Sequence, residues 1–212
     1  MAKAAVITGG ELPPFSIVMP VIAQCQVIIA CDGGMEWAAK AGITPHYMIG
    51  DMDSVSKETL SLFQTAGVKE IRLSPIKDDT DTEAGVNLAL SLGADEIAII
   101  GGTGKRLDHS IANLHLLYDL AQKGIRAVMY GNSEEVRCVV GEDVLFGAVG
   151  QTVSVLPLMG ECCLSLKGFY YPLSQYHYRL GSTVGISNVV TEEGAKVTVH
   201  SGCAFVFLNH NN

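Results

Sequence analysis

Two carboxylates one residue apart are the first chemically suggestive feature of the sequence. Asp51 and Asp53 lie in GDMDS, residues 50–54, directly after a short apolar run. Magnesium is usually held in proteins by one or two carboxylates together with substrate phosphates and water. In a purely structural alternative, one Asp belongs to a turn and Ser54 or Ser56 caps the next helix. Because that alternative leaves the second Asp without a role, the spacing favours a metal site.

The segment KDDTDTE crowds four more carboxylates together. Thr80 and Glu83 match the S/T-x-x-E capping box, which predicts a helix with Thr80 as its N-cap and Asp81 as its first residue. That position suits Asp81 to lie near a metal ion at the edge of a sheet. For Asp78 and Asp79 a solvated acidic loop is the simpler interpretation.

A glycine-rich segment, GGTGKRLDH at residues 101–109, suits close approach by a phosphate. It matches neither the Walker A motif nor the G-x-G-x-x-G dinucleotide fingerprint. Arg106 and Lys105 can balance charge on a transferred group, although a surface salt bridge explains Lys105 nearly as well. We expect Asp108 to be a helix N-cap, and His109 is the residue to suspect as a base, although such a histidine is more often structural. Carboxylates together with a phosphate cradle are typical of nucleotide phosphoryl chemistry.

The elements that carry these residues alternate between strand and helix up to about residue 131. Apolar runs with helical segments between them predict a mostly parallel sheet covered on both faces. In the last of these helices, Ile111, Leu114, Leu117 and Ala121 fall on one face. The predicted strands are AAVIT, QVIIAC, HYMIG, EIRL, EIAII and RAVMY.

After residue 132 strands follow one another without a convincing helix, which predicts an all-β sandwich or flattened barrel. We therefore expect two domains, 1–132 and 133–212: a Rossmann-like α/β/α domain followed by a β-sandwich. The predicted strands of the second domain are EVRCVV, QTVSVLPL, CCLSLKGF, HYRLG, AKVTVHSG and CAFVFL.

The polar clusters fall at the carboxyl ends of four consecutive predicted strands, where open parallel sheets bind ligands. CDGG follows the second strand, GDMDS the third, SPIKDDTDTE the fourth and GGTGKRLDH the fifth. For CDGG alone, a simple turn and helix entry is as good an explanation as a functional one. The four ends together indicate one binding crevice.

Composition excludes several classes of partner. The 212 residues include 14 Lys and Arg against 22 Asp and Glu, a formal charge of −8, and give a pI near 5.1. An acidic chain without a basic cluster argues against nucleic acid or an anionic membrane as partner. The sequence shows no signal peptide or membrane-spanning run, and its six cysteines show no C-x-x-C spacing, so we expect buried thiols and a cytoplasmic protein.

Three segments in this order and spacing resemble thiamine pyrophosphokinases. They are CDGGMEWAAKAGITPHYMIGDMDSV, KDDTDTEAGVNLAL and GGTGKRLDHSIANLHLL. The second domain is also similar to that family, including the G-x-S-N segment from Gly185 to Asn188 and the terminal SGCAFVFL. The resemblance covers nearly the whole chain.

The resemblance implies transfer of a diphosphoryl group from ATP to the hydroxyl of thiamine, with Mg²⁺ as cofactor and AMP as the second product. It further implies a homodimer in which the first domain binds ATP and Mg²⁺ and carries out catalysis, while the second binds thiamine and forms the dimer, with sites at the interface between subunits.

The residues that match the family's motifs fall into three groups. The expected metal ligands are Asp51, Asp53 and Asp81, which with Arg106 make up the expected catalytic set. The residues expected to contact the nucleotide are Asp32, Gly33, Gly34, Asp78, Thr80, Gly102 and Gly104. The residues expected to contact thiamine are Asp108, Ser187 and Asn188.

Two other functions are considered for the same residues. A metal-dependent nucleotide-sugar transferase also uses an Asp pair, but it would leave GTGKRLDH and the β domain unexplained. A nucleotide or thiamine sensor without turnover would not need to retain three metal-binding aspartates. For the tyrosines of the second domain, a dimer interface and a packed sandwich face are equally good interpretations.

Overall fold

The computed structural model describes residues 2–74, 79–104, 106–141, 143–146 and 148–210. The chain divides into two compact units, Met1–Asn132 and Ser133–Asn212. Asp78 and Lys105, two of the residues discussed above, lie outside the described ranges.

The first unit alternates strands and helices along its described residues. Its strands are β1 Lys3–Ile7, β2 Val27–Cys31, β3 Tyr47–Gly50, β4 Lys69–Arg72, β5 Glu96–Ile100 and β6 Arg126–Tyr130. Its helices are α1 Phe15–Ile22, α2 Gly34–Lys40, α3 Lys57–Thr65, α4 Asp81–Ser91 and α5 Leu107–Gln122. The alternation confirms the prediction made from the change between strand and helix periods.

These six strands form a parallel sheet in the order β6-β5-β1-β2-β3-β4. The chain adds strands in one direction from β1 to β4 and then crosses to the other side of β1 to form β5. The strand order therefore reverses between β1 and β5, and the loops that follow these two strands leave the sheet in opposite directions. A crevice at such a point is where open α/β sheets bind their ligands.

Apolar side chains cover both faces of this sheet, as predicted. On one face, Ile7 and Met48 are buried in a cluster with Val18 of α1, Met35 of α2 and Phe63 of α3. The other face is covered by α4, which contacts β1, β2 and β3, and by α5, which contacts β6. A parallel sheet buried on both faces explains why its strands are apolar along their whole length.

The prediction of an apolar face on α5 is wrong near the start of the helix. Ile111 is 46% exposed, whereas the buried side chains of this helix are Asn113, Leu117 and Leu120. His109 and Ser110 of the same turn line a cavity, so this turn lies beyond the strand ends and has no apolar surface beneath it. Packing on β6 begins farther along the helix.

The second unit contains two antiparallel sheets within its described residues, in the orders β12-β9-β14-β7 and β11-β10-β13-β8. A single apolar cluster joins them through Val153 and Val206 of one sheet and Leu164 and Val197 of the other. The predicted sandwich is confirmed. Its strands are β7 Glu134–Val140, β8 Asp143–Phe146, β9 Thr152–Leu156, β10 Cys162–Lys167, β11 Leu173–Tyr178, β12 Asn188–Val189, β13 Ala195–Ser201 and β14 Cys203–Asn209.

Three strands of the sandwich differ from the prediction. Strands β8 and β12 were not predicted, and β11 spans Leu173–Tyr178, where HYRLG had been expected. All three are edge strands, paired with a single neighbour. Strands β8 and β12 are only four and two residues long, too short to show a periodic pattern, and half of the β11 residues are Ser, Gln or His.

No described helix is both long and apolar enough to span a bilayer. All six cysteines lie in the described part of the chain, and none of them forms a disulfide. Five are buried and Cys25 is partly buried, as expected for reduced thiols in apolar surroundings.

Candidate active site

A cavity of about 650 Å³ lies at the carboxyl ends of the parallel strands of the first unit. The loops after β1 and β5 form two of its walls, so it occupies the point where the strand order reverses. The residues that line it are Thr8, Gly9, Gly10, Glu11, Cys31, Asp32, Gly33, Ser54, Thr80, Asp81, Thr82, Gly101, Gly102, Thr103, Gly104, Arg106, His109, Ser110 and Asn113.

Glycine backbone makes up much of the cavity wall. A Cβ atom on Gly10 would lie 2.1 Å from the carbonyl oxygen of Gly101 and 2.3 Å from that of Thr103. A Cβ atom on Gly9 would lie 3.3 Å from the Cα atom of Gly33. The loops after β1 and β5 therefore approach each other more closely than a side chain on Gly10 would permit, and the loop after β2 packs tightly against the first of them.

The loop after β1 was not among the predicted site residues. The Thr8 amide donates to the Ile100 carbonyl at 2.8 Å, and the Thr8 hydroxyl donates to the Gly101 carbonyl. The Glu11 amide donates to the Thr103 carbonyl at 2.7 Å. This loop therefore braces the glycine-rich loop that follows β5. The sequence signal for it was the glycine pair at the end of the first strand.

Helix α5 fixes the other side of the glycine-rich loop. The buried Asn113 side chain donates through Nδ2 to the Gly102 carbonyl at 2.7 Å. The Ser110 hydroxyl accepts from the Gly104 amide at 3.3 Å and donates to the Arg106 carbonyl at 3.2 Å. Neither side chain was predicted, and the signal in the sequence was a polar Asn within the apolar stripe of the helix.

The Asp pair lies on a constrained loop beside the cavity. Ser54 of this loop lines the cavity, whereas Asp51 and Asp53 do not. The Asp53 amide donates to Asp51 Oδ1 at 3.0 Å, and the buried Met52 between them has a φ of 69°. A hydrogen bond with Asp51, the negative charge of Asp51 and the charge of Asp81 together raise the pKa of the exposed Asp53 carboxyl. The three predicted metal ligands therefore lie close enough to influence one another.

Within the described ranges no group of three His, Cys, Asp or Glu side chains forms a ready-made metal site. Mg²⁺ does not require one, since it is commonly held by one or two carboxylates plus phosphate oxygens and water. Asp51 and Asp53, with Asp81 nearby, concentrate negative charge that a divalent cation would neutralise. These residues fit Mg²⁺ as part of a site completed by a phosphate ligand.

Asp81 is placed as the capping box predicted. It is the first residue of α4, and the Thr80 hydroxyl accepts from the Glu83 amide at 3.1 Å. Ser56 likewise caps α3 by accepting from the Thr59 amide at 3.2 Å. The start of α4 is as predicted, and for α3 the structure selects Ser56 of the two N-caps, Ser54 and Ser56, that the sequence left open.

Asp32 lies at the bottom of the crevice, against a glycine of the next strand. Its amide donates to the Ile49 carbonyl at 3.2 Å, and its own φ is 40°. A Cβ atom on Gly50, whose φ is 149°, would lie 1.8 Å from Asp32 Oδ1. Gly50 therefore makes room for the Asp32 carboxylate, which lines the cavity with Gly33.

The expected N-cap role of Asp108 is wrong. Helix α5 begins at Leu107 with Arg106 at the N-cap position, so Asp108 lies within the first turn. Its carboxylate accepts from Arg106 Nε at 3.3 Å and from Nη2 at 2.7 Å. The hydrogen bond from Arg106 lowers the pKa of Asp108. The two side chains are about two-thirds exposed, at 70% for Arg106 and 65% for Asp108, so each can exchange its partner for another.

The two thiamine candidates in the second unit have different environments. Ser187 is exposed, with a φ of 53°, and its amide donates to the Ser154 hydroxyl at 3.0 Å. Asn188 is buried, and its Oδ1 accepts from the amides of Tyr171 and Val189, both at 3.0 Å. Its Nδ2 donates to the Tyr171 carbonyl at 2.8 Å. The Asn188 side chain thus holds the backbone beside Ser187.

Replacing Asn188 with alanine is expected to lower the free energy of unfolding by about 1–3 kcal/mol, because the Tyr171 amide and carbonyl and the Val189 amide, all in partly buried hydrogen bonds, would lose their partner. Denaturant unfolding measures this change. Ser187→Ala is the matched control and should change stability by less than about 0.5 kcal/mol, since the exposed Ser187 side chain makes no packing contribution. A wild-type unfolding midpoint for Asn188→Ala would contradict the structural role of the amide.

Sequence comparison identifies the same family in both units. The profile described as "Thiamin pyrophosphokinase, catalytic domain" matches residues 18–129, and "Thiamin pyrophosphokinase, vitamin B1 binding domain" matches residues 142–204. The chain is 32% identical over 163 residues to the thiamine pyrophosphokinase of Bacillus subtilis (strain 168), which is 76% of each chain. It is 25% identical over 169 residues to thiamine pyrophosphokinase 1 of Arabidopsis thaliana, covering 74% of this chain and 62% of the plant protein.

Solved structures agree with the sequence comparison. The crystal structure of thiamine pyrophosphokinase from Bacillus subtilis superposes with a TM-score of 0.89 at 25% identity, covering 99% of this chain and all of that chain. The yeast thiamin pyrophosphokinase structure has the same fold, with a TM-score of 0.84 at 14% identity over 98% of this chain and 86% of that chain. The chain therefore belongs to the thiamine pyrophosphokinase family, whose members transfer a diphosphoryl group from ATP to thiamine.

Proposed function

We propose that ATP binds in the glycine-walled cavity of the first unit and that diphosphoryl transfer to thiamine takes place at its edge. The observation that carries this proposal is the meeting of three glycine loops at the reversal point of the sheet, with carboxylates and Arg106 around it. Backbone amides in glycine loops and at helix N-termini are the usual ligands of phosphate oxygens. A volume of about 650 Å³ lies in the range of small-ligand sites.

The acidic side of the cavity makes a divalent cation part of the proposal. Asp51, Asp53 and Asp81 would repel the phosphates of ATP without one. When bound, Mg²⁺ supplies charge neutralisation of the phosphate oxygens. In our proposal Asp51 and Asp53 hold the ion from the β3–α3 loop, and Asp81 holds it from the start of α4. These carboxylates bind and orient, and they carry no proton in the transfer.

Arg106 is the proposed electrostatic partner of the transferred group. It lines the cavity, and in the structure its guanidinium is paired with Asp108. An exposed ion pair of this kind contributes little to stability, so exchanging the carboxylate for a phosphate costs little. A guanidinium near the developing charge stabilises the loose transition state of phosphoryl transfer.

The same exchange would release Asp108 toward thiamine. Thiamine carries a permanent positive charge, and an Asp carboxyl without a cationic partner is still ionised at neutral pH, so Asp108 would remain a suitable contact after Arg106 leaves it. We propose that Asp108 and Ser187 contact thiamine directly. The buried Asn188 contributes as a positioning residue, because its side chain holds the backbone next to Ser187.

We further propose that the chain acts as a homodimer through the second unit. Tyr170 and Tyr171 are 67% and 64% exposed, and Leu180, Val184 and Ile186 are also exposed. Tyrosine and large apolar side chains are enriched at such interfaces. Sedimentation at micromolar concentration should give twice the mass of the chain, and a monomer at that concentration would contradict this part of the proposal.

We propose a cytoplasmic location because the six cysteines are free thiols. Six cysteines without a disulfide suit a reducing compartment, where thiols remain reduced.

Binding of α,β-methylene ATP, which cannot be cleaved at the transferred bond, tests the nucleotide site. Titration calorimetry should show Mg²⁺-dependent binding to the wild-type chain, and Arg106→Ala should weaken it about 10-fold or more because a charge-assisted contact is lost. Arg126→Ala is the matched control, since Arg126 is exposed and begins β6, at the amino ends of the strands and so on the opposite side of the sheet from the cavity. Equal affinities of both variants and the wild type would contradict the proposed role of Arg106.

A further inference from the structure

We propose that Glu36, on helix α2, is a positioning residue for the loop that carries Asp51 and Asp53. The inference rests on the proposed function, because it concerns the loop to which metal binding is assigned. Glu36 does not line the cavity, and the motifs described above give it no role.

The Glu36 carboxylate lies at the N-terminus of a neighbouring helix. Its Oε1 accepts from the Ser56 amide at 2.7 Å, and the side chains of Ser56 and Thr59 also form hydrogen bonds with it. The bond from the Ser56 amide is the largest cause of the lowered pKa of Glu36. The first turn of α3 is therefore bound to α2 by a charge-assisted contact.

This contact fixes one end of the Asp51–Asp53 loop. At the other end, the Gly50 carbonyl accepts from the Leu73 amide at 2.9 Å. Met52 and Val55 lie in the apolar cluster and anchor the middle. The two carboxylates lie between these anchors and are themselves only partly buried or exposed. The direction in which the Asp51 and Asp53 carboxylates point therefore depends on how firmly Glu36 binds the Ser56 amide.

Helix α2 also connects this loop to the nucleotide cavity. It begins at Gly34, immediately after Asp32 and Gly33, which line the cavity. A contact from α2 to Ser56 therefore fixes the loop after β3 relative to the loop after β2. Two adjacent strand-end loops, one lining the proposed nucleotide cavity and one proposed to hold the cation, are thereby connected.

The contact satisfies the amide of the N-cap residue of α3 and in addition joins α3 to α2. Ser56 already supplies the N-cap, and Glu58 already places a negative charge in the first turn of this helix. What Glu36 adds is a bond from a different helix. Loss of such supporting contacts typically weakens metal binding by about 10- to 100-fold while leaving the ligands in place.

The test compares Glu36→Ala and Glu36→Gln with Glu58→Ala, which removes the same charge from the same helix end. Electron paramagnetic resonance measures the binding of Mn²⁺ in the presence of α,β-methylene ATP, and hydrogen exchange measures the amides of residues 51–56. Glu36→Ala should weaken Mn²⁺ binding about 10-fold and speed exchange in the loop, with the KM for thiamine within about twofold of wild type. Glu36→Gln should recover most of the affinity because its amide oxygen still accepts from Ser56.

Wild-type Mn²⁺ affinity in Glu36→Ala would overturn the inference. An equal loss in Glu58→Ala would also overturn it, because the effect would then belong to helix charge in general. Failure of the proposed function gives a different result, since the wild-type chain itself would then bind no Mn²⁺ with the nucleotide analogue and release no AMP.

Discussion

Replacing Asp51 with asparagine is expected to lower kcat/KM by about 10²- to 10³-fold, the scale on which loss of one preorganised electrostatic contact affects a charged transition state. The structure explains why this substitution isolates the effect of the charge. The introduced amide side chain would keep an oxygen that accepts from the Asp53 amide, so the turn is preserved while the negative charge is lost. The expected loss therefore comes from cation binding, and raising the Mg²⁺ concentration should recover part of the activity.

Asp79→Asn provides the control for this prediction. Asp79 is exposed, lies two residues before Asp81 and is not among the residues that line the cavity. Removing its charge should change kcat/KM by less than about threefold, as expected for an exposed charge that does not line the cavity, whereas Asp51→Asn should lose most of its activity at the same Mg²⁺ concentration. Steady-state kinetics over a range of Mg²⁺ concentrations distinguishes the two variants. If they behaved alike, the loop would not be a metal site.

Replacing Gly10 with alanine is expected to destabilise the fold by about 2–4 kcal/mol and to abolish nucleotide binding, because the added methyl group has no space. Its Cβ atom would lie 2.1 Å and 2.3 Å from two backbone carbonyl oxygens, and backbone cannot move aside as a flexible side chain can. The loops after β1 and β5 would separate. Those loops form the cavity, so stability and affinity for the ATP analogue should fall together.

Gly124→Ala is the comparison variant for Gly10. Gly124 ends α5 with a φ of 73°, and a Cβ atom there meets nothing within 4 Å. Its substitution should cost about 1 kcal/mol from backbone strain alone and should leave analogue affinity unchanged. Denaturant unfolding and calorimetry on both variants separate the cost of backbone strain from the loss of the cavity. A Gly10→Ala variant that binds the analogue normally would show that the glycine wall is not the nucleotide site.

Much of the site was predictable because the strand ends carry distinctive residues. The Asp pair after β3, the capping box before α4 and the glycine-rich segment after β5 each combine a period change with turn residues. In a parallel sheet such ends must meet at one edge. The loop after β1 was missed because its residues, Thr8 to Glu11, show neither a carboxylate pair nor a charge cluster.

Contacts between elements distant in sequence were not predictable. The Asn113 side chain donates to the Gly102 carbonyl, and the Glu36 carboxylate accepts from the Ser56 amide. The Asn188 side chain donates to the Tyr171 carbonyl. Each bond depends on how two elements pack, which local spacing does not encode. Local pattern was also insufficient for the edge strands, because β8 and β12 are only four and two residues long and half of the β11 residues are Ser, Gln or His.

The most direct test of the central claim is the identity of the adenine product. The purified chain is mixed with Mg²⁺, ATP and thiamine, and the nucleotides are separated by chromatography. Diphosphoryl transfer predicts AMP in amounts equal to thiamine diphosphate, formed only when thiamine is present. Thiamine-dependent ADP would place the attack on the γ-phosphate instead, and an absence of turnover with intact binding of both substrates would contradict catalysis by this chain.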